Sequence, residues 1–132
     1  MKFIVLIGRI LFAMIFLLTI MSHFSGKAVG YAAAKGVPAA SVLVPLSGVI
    51  AVAGAISIML GYKARWCAWL IVLFLVPVTF IMHAFWKETD PMQMQVQMSN
   101  FMKNISMLGG ALLIAYFGAG PLSIDARTKK TT

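Results

Sequence analysis

The side chains able to do chemistry are few, and most fall in two apolar runs. Thr79, His83 and Trp86 recur at i, i+4 and i+7, and in a later run Asn100, Lys103, Asn104 and Met107 share a helical face in the same way. His83, Lys103 and Asn104 can donate to carbonyl oxygens, Phe85 and Trp86 can cover a ring, and Thr79 lies one turn below them. A quinone or another small amphiphile suits this set best, because ligand sites are mostly apolar with a few placed polar groups. His23 and His83 would reach similar depths, about 30 and 26 Å along their helices, which is the requirement for two histidines to ligate haem from facing helices. Met92, Met94, Met98 and Met102 supply soft thioethers suited to Cu(I). A plainer account competes with all three: His83 bonds a backbone carbonyl, Trp86 joins an interfacial aromatic belt, Lys103 snorkels outward, and methionines fill gaps or face lipid.

Arg9 is the other demanding group. It lies about 9 Å inside its run at 1.5 Å per residue, so it must snorkel or find an anionic partner. Asp125 is the acid expected on the same side, and the pairing Arg9–Asp125, or failing that Arg65–Asp125, would pin the C-terminal tail beneath the helices. Glu88 and Asp90 sit one residue apart before Pro91 and read as a solvated turn, with nothing to separate their pKa values for acid and base work. The sequence contains no GxxxxGK[ST], GxGxxG, HExxH or GxSxG, so nucleotide chemistry and hydrolysis have no signature here. Cys67 is the single cysteine, so one chain can build neither a CxxC pair nor a cysteine zinc site. Catalysis by this chain alone is not expected.

The elements that position these residues follow from composition. Of 132 residues 61% are hydrophobic and only 11% charged, and mean hydropathy is +0.96, too little polarity to coat a water-facing domain. Roughly 20 apolar residues cross a bilayer, so the inventory suffices for four crossings, and lipid is the first partner. We expect an all-α, single-domain four-transmembrane-helix bundle over residues 1–132, with spans near 3–22, 41–61, 66–86 and 101–118 and an interfacial segment between the first two. The first run is longer than a signal-peptide core and meets no prompt small-x-small site, so it reads as an uncleaved anchor. Pro77 lies mid-span, where its missing N–H should kink the helix unless a neighbour compensates. Ser47, Ala51 and Ala55, and Ala53, Ser57 and Gly61, form small-residue stripes that permit close helix approach.

Four crossings put both termini and the middle turn on one face. Lys2, Arg9, Lys63, Arg65, Arg127, Lys129 and Lys130 belong to it, against Lys27, Lys35, Lys87 and Lys103 opposite, which places both termini in the cytoplasm. The net charge of +8 therefore reads as anchors at anionic head groups, and no basic block resembles a nucleic-acid arm. Four short helices without internal duplication leave little room for a substrate path, so a channel would need a homo-oligomer.

The ordered set Arg9, Ser25-Gly26-Lys27, Tyr31, Gly36-Val37-Pro38, Gly61-Tyr62-Lys63-Ala64-Arg65, His83-Ala84-Phe85-Trp86, Lys103-Asn104, Leu108-Gly109-Gly110 and Gly118-Ala119-Gly120-Pro121-Leu122-Ser123-Ile124-Asp125 resembles the DoxX family of small bacterial four-helix membrane proteins along nearly the whole chain. The second span departs from many relatives in having Ala51 or a neighbour where they carry an acid. The resemblance implies a multi-pass protein of the bacterial inner membrane, an accessory subunit packing against other subunits of a quinone-linked oxidoreductase or terminal oxidase. The alternatives are a structural or assembly module without a redox role, and a metal-handling membrane protein.

Overall fold

Backbone amides surrounded by hydrocarbon must close their hydrogen bonds within the segment, so the apolar runs fold as helices. In the computed structural model, which describes residues 1–129, these are α1 (Lys2–His23), α2 (Gly26–Ala34), α3 (Ala40–Leu60), α4 (Ala64–Met82), a 3-10 turn (Phe85–Lys87), α5 (Pro91–Phe117) and α6 (Ile124–Thr128). Lys130, one of the charges assigned above to one face, lies outside the described residues. Among the described residues three stretches are long and apolar enough to cross a membrane: Lys2–His23, Ala40–Leu60 and Ala64–Lys87.

The segment expected at the interface is the helix α2, started by Ser25, whose hydroxyl accepts from the Ala28 amide. Two boundaries differ from expectation. The third run does not stay α-helical to Trp86; it ends at Met82, His83 leaves helical geometry, and a 3-10 turn comes next. The last long helix begins at Pro91 rather than near Phe101. Asp90 caps it by accepting from the Gln93 amide, and Pro91 fits the first turn, where an N–H is not needed. The polar stretch after Pro91 thus belongs to a helix of 27 residues, about 40 Å long. α4 continues through Pro77.

α3 packs against α1 and α4, α4 also against α5, and α2 lies on α3. The core joins Ala13 and Phe16 of α1, Ala51, Ala55 and Ile58 of α3, Ala68, Ile71, Phe74 and Leu75 of α4, and Ala111 of α5. In lipid this packing is driven by dispersion and shape rather than by escape from water, which is why alanines occupy so many of its contacts. Of the two small-residue stripes, the one through Ala51 and Ala55 enters the core, whereas Ala53 is exposed. Trp66 and Trp69 at the start of α4 and Trp86 beyond its end are all more than half exposed, positions suited to two aromatic belts.

Candidate functional site

At the end of the molecule carrying His83, α3 and α4 separate around a cavity of about 570 Å³. Its roof is α2 through Ala28, Tyr31 and Ala32, and its walls come from α1, α3, α4 and α5. Exposed lining residues, Leu43 and Leu46 on α3 and Leu73 and Ile81 on α4, mark an opening onto the hydrophobic flank. Most of the wall is apolar. The polar exceptions are His23, Ser47, Thr19, Ser22, Tyr31, His83, Lys103 and Asn104.

His23 reaches the cavity because Gly48 on α3 leaves it room; a β-carbon there would approach the His23 Cβ to 2.8 Å. Its Nδ1 lies 3.1 Å from the Thr19 carbonyl, which can only accept, so Nδ1 carries the proton and neutral His23 keeps its lone pair on Nε2. The Phe74 ring packs against it at 5.6 Å. His83 is held by a chain of side chains: its Nδ1 lies 2.8 Å from Gln97 Oε1, Gln97 Nε2 donates to the Tyr31 hydroxyl at 3.0 Å, and that hydroxyl donates to the Met82 carbonyl at 3.5 Å. With the Gln97 amide in this orientation Oε1 accepts from His83 Nδ1, which makes Nδ1 the protonated nitrogen and leaves Nε2 as the acceptor of the neutral ring. The donor role expected of His83 is therefore spent on Gln97. Lys103 is exposed at the rim and donates to Asn100 Oδ1 at 3.1 Å. Asn104 is only 5% exposed, and its amide has no hydrogen-bond partner among the described residues. Its amide atoms open onto the cavity and so offer a guest both a donor and an acceptor.

The roof is clamped from outside. Lys35, just after α2, forms an ion pair of 2.6 Å with Glu88 in the loop before α5, and its ammonium lies 5.4 Å from the Tyr31 ring centroid. The hydrogen bond to Glu88 raises the Lys35 pKa above the ordinary 10.5. Glu88 is thus a clamp and Asp90 a helix cap, not the solvated pair expected.

Three of the sequence-proposed ligand residues lie elsewhere. Thr79 is buried and donates to the Leu75 carbonyl one turn back at 2.6 Å, the usual fate of a helical threonine with no competing partner. Phe85 and Trp86 are swung aside by the 3-10 turn and stack edge-on with Phe101, 5.4 and 5.7 Å between centroids, in a cluster that Phe80 joins. Met92, Met94, Met98 and Met102 are exposed along α5; at 100° per residue the last three share a stripe and Met92 points away from it. For haem, both histidines line the same cavity and present Nε2. Tyr31 and Gln97 are the residues that sequence reasoning missed, because their meeting depends on α2 folding over α5.

At the other end, Arg9 is 3% exposed. It makes no direct ion pair with Asp125. Its guanidinium donates from Nη1 to the Ala119 carbonyl at 2.5 Å and from Nη2 to the Leu122 carbonyl at 2.7 Å, leaving Nε without a partner among the described residues. Asp125 instead accepts from the Lys63 and Ala64 amides at 2.7 and 3.0 Å, capping α4, and its own amide donates to the Gly61 carbonyl at 2.9 Å. Carbonyls left over beyond a helix end satisfy a guanidinium as well as an acid would, while orphan amides at a helix start attract the carboxylate. Gly61 makes the meeting possible: φ is +70°, and a β-carbon would overlap the Ser123 Cβ and come within 2.9 Å of Arg9 Nη1.

The matching family model is that of the SURF4 family, over residues 1–131. The chain belongs to the SURF4 family. This corrects the DoxX assignment, whose supporting residues are mostly small, aromatic or basic groups that many helical membrane proteins place at helix ends. Two Escherichia coli K12 proteins are similar to this SURF4-family chain. Inner membrane protein YphA is 34% identical over 125 residues, covering 92% of this chain and 88% of its own length. Inner membrane protein YqjF is 32% identical over 132 residues, covering 96% and 92%. No solved structure matches the SURF4-family chain.

Proposed function

We propose that this SURF4-family protein is a binding module of a bacterial inner membrane that takes the head group of a quinone or another membrane amphiphile into the cavity at its His83 end. The observation that carries the reading is Asn104: a side chain 5% exposed, without a partner among the described residues, in the wall of a mostly apolar cavity of about 570 Å³. Exposed leucines at the opening let a lipid-phase ligand enter sideways without crossing water. The names of YphA and YqjF support the inner-membrane location.

In this reading α5 makes a fourth crossing, with its polar first turns outside. Both termini lie in the cytoplasm, with the Arg9 knot inward and the α2 roof outward, as the greater positive charge of the Arg9 end favours. Beside a quinone-linked membrane enzyme the module would be an accessory subunit that presents the head group, the partner supplying the redox centre. The DoxX resemblance no longer supports that partner, and the cavity is what remains in its favour.

The test is solvent extraction of protein purified in mild detergent, wild type beside Ser47→Trp, which fills the cavity from α3. A stoichiometric amphiphile in the wild type that is missing from the variant supports the proposal. Equal, substoichiometric lipid in both would contradict it. Reporter fusions at the two ends check the topology, and a reporter that is active outside at either end overturns the cytoplasmic assignment.

A further inference from the structure

Away from the rim, where exposed Lys103 brings its ammonium, the polar lining of the cavity is biased toward acceptors. His23 Nδ1 is committed to a backbone carbonyl, and His83 Nδ1 to Gln97 Oε1, whose companion Nε2 donates to the Tyr31 hydroxyl. In the neutral form each imidazole then keeps its lone pair on Nε2, the nitrogen left for a guest. Pro77 adds to the bias. It has no N–H for the carbonyl of Leu73 one turn back, and both residues line the cavity. Thr19, Ser22 and Ser47 donate their hydroxyl protons to the carbonyls of Ile15, Thr19 and Val44 in α1 and α3. Asn104 alone among the deeply buried lining groups has both an uncommitted donor and an uncommitted acceptor.

We infer that the cavity selects amphiphiles whose head carries a hydroxyl, a donor group such as that of a hydroquinone or a lipid alcohol, over those whose head only accepts. The hydroxyl proton goes to a histidine Nε2, and its oxygen accepts from the Asn104 amide. A carbonyl or ether head would satisfy Asn104 but leave the Nε2 lone pairs unanswered. This rests on the cavity being a ligand site, as proposed above, and adds which chemistry it takes. It also reverses the expectation that His83 donates to a quinone carbonyl.

The experiment measures retention of radiolabelled decan-1-ol, decan-2-one and decyl methyl ether by full-length protein in nanodiscs, relative to empty nanodiscs. The three probes share their tail and differ in whether the head can donate. The expected result is that the alcohol binds at least about tenfold more tightly than the ketone or the ether, the ratio of one hydrogen bond. His83→Phe should reduce that preference, whereas Asn104→Leu, which removes a donor that all three heads use, should weaken all three probes and leave the preference in place. Because the wild-type ranking needs no variant, a substitution that fails to fold does not block the test. Ketone or ether binding as tightly as the alcohol, in a manner abolished by Ser47→Trp, overturns the donor preference and leaves the binding module standing. Retention of none of the probes above empty nanodiscs overturns both.

Discussion

Arg9 and Asn104 are almost equally shielded, 3% and 5% exposed, yet their surroundings treat them in opposite ways. The guanidinium spends two of its nitrogens on carbonyls of the loop before α6, and the neighbouring Asp125, Gly61 and Ser123 close around it with backbone hydrogen bonds. The amide of Asn104 faces a cavity and bonds to nothing among the described residues. Burial alone therefore does not distinguish a structural polar group from a binding one. What distinguishes them is that the fold supplies carbonyls to both Nη atoms of Arg9, although Nε stays without a partner among the described residues, and supplies none to the Asn104 amide.

That contrast can be broken most forcefully at Gly61. Gly61→Val combines a strained positive φ with overlap against Ser123 and Arg9, and should cost about 3 kcal/mol or more. Loss of the folded peak in size-exclusion chromatography, or a collapsed thermal midpoint in detergent, would show it. Arg9→Leu leaves the Ala119 and Leu122 carbonyls without a donor and should cost roughly 2–4 kcal/mol by the same thermal assay. Arg9→Lys should recover only part, because an ammonium cannot span two carbonyls as a planar fork does.

At the other end the sign should reverse. Asn104→Leu removes an unmet amide and should leave the ligand-free protein as stable as before or about 1 kcal/mol more so. A destabilisation matching that of Arg9→Leu would erase the comparison. The smallest effect belongs to the clamp between Lys35 and Glu88, worth up to about 1 kcal/mol for a largely surface pair. Since the Lys35 pKa is raised in the folded protein, this contribution is complete below the ordinary value of 10.5 and fades as pH rises past it. The difference in thermal midpoint between wild type and Lys35→Met should shrink between about pH 9.5 and 11.5, roughly 1 unit either side of that ordinary value.

How far the sequence reaches differs between the same two ends. The grouping of His23, His83, Lys103 and Asn104 was legible, because helical spacing and equal depth are properties of each run alone. Phe85 and Trp86 were misplaced since nothing in the spacing shows that α4 stops at Met82 and that a 3-10 turn redirects the chain beyond it. Tyr31 and Gln97, 66 residues apart, were invisible because only tertiary folding of α2 brings them together. For Arg9, the need for a partner was readable from its depth, but the partner was sought among acids when backbone carbonyls met the need. The long helices were plain from hydropathy; the early start of α5 was hidden by its glutamines, although Asp90 and Pro91 form a recognisable helix start.

The most direct measurement is thiol reactivity at two equally buried positions in a Cys67→Ser background, Cys67 being the only native cysteine. Asn104→Cys lies in the cavity wall, and Ala119→Cys, at a residue 3% exposed, lies in the knot around Arg9. In membranes, a small lipid-soluble methanethiosulfonate should modify the cysteine at 104 readily and the one at 119 slowly, with decan-1-ol protecting only the former. Equal, slow modification at both sites, with no protection at 104, would contradict the account.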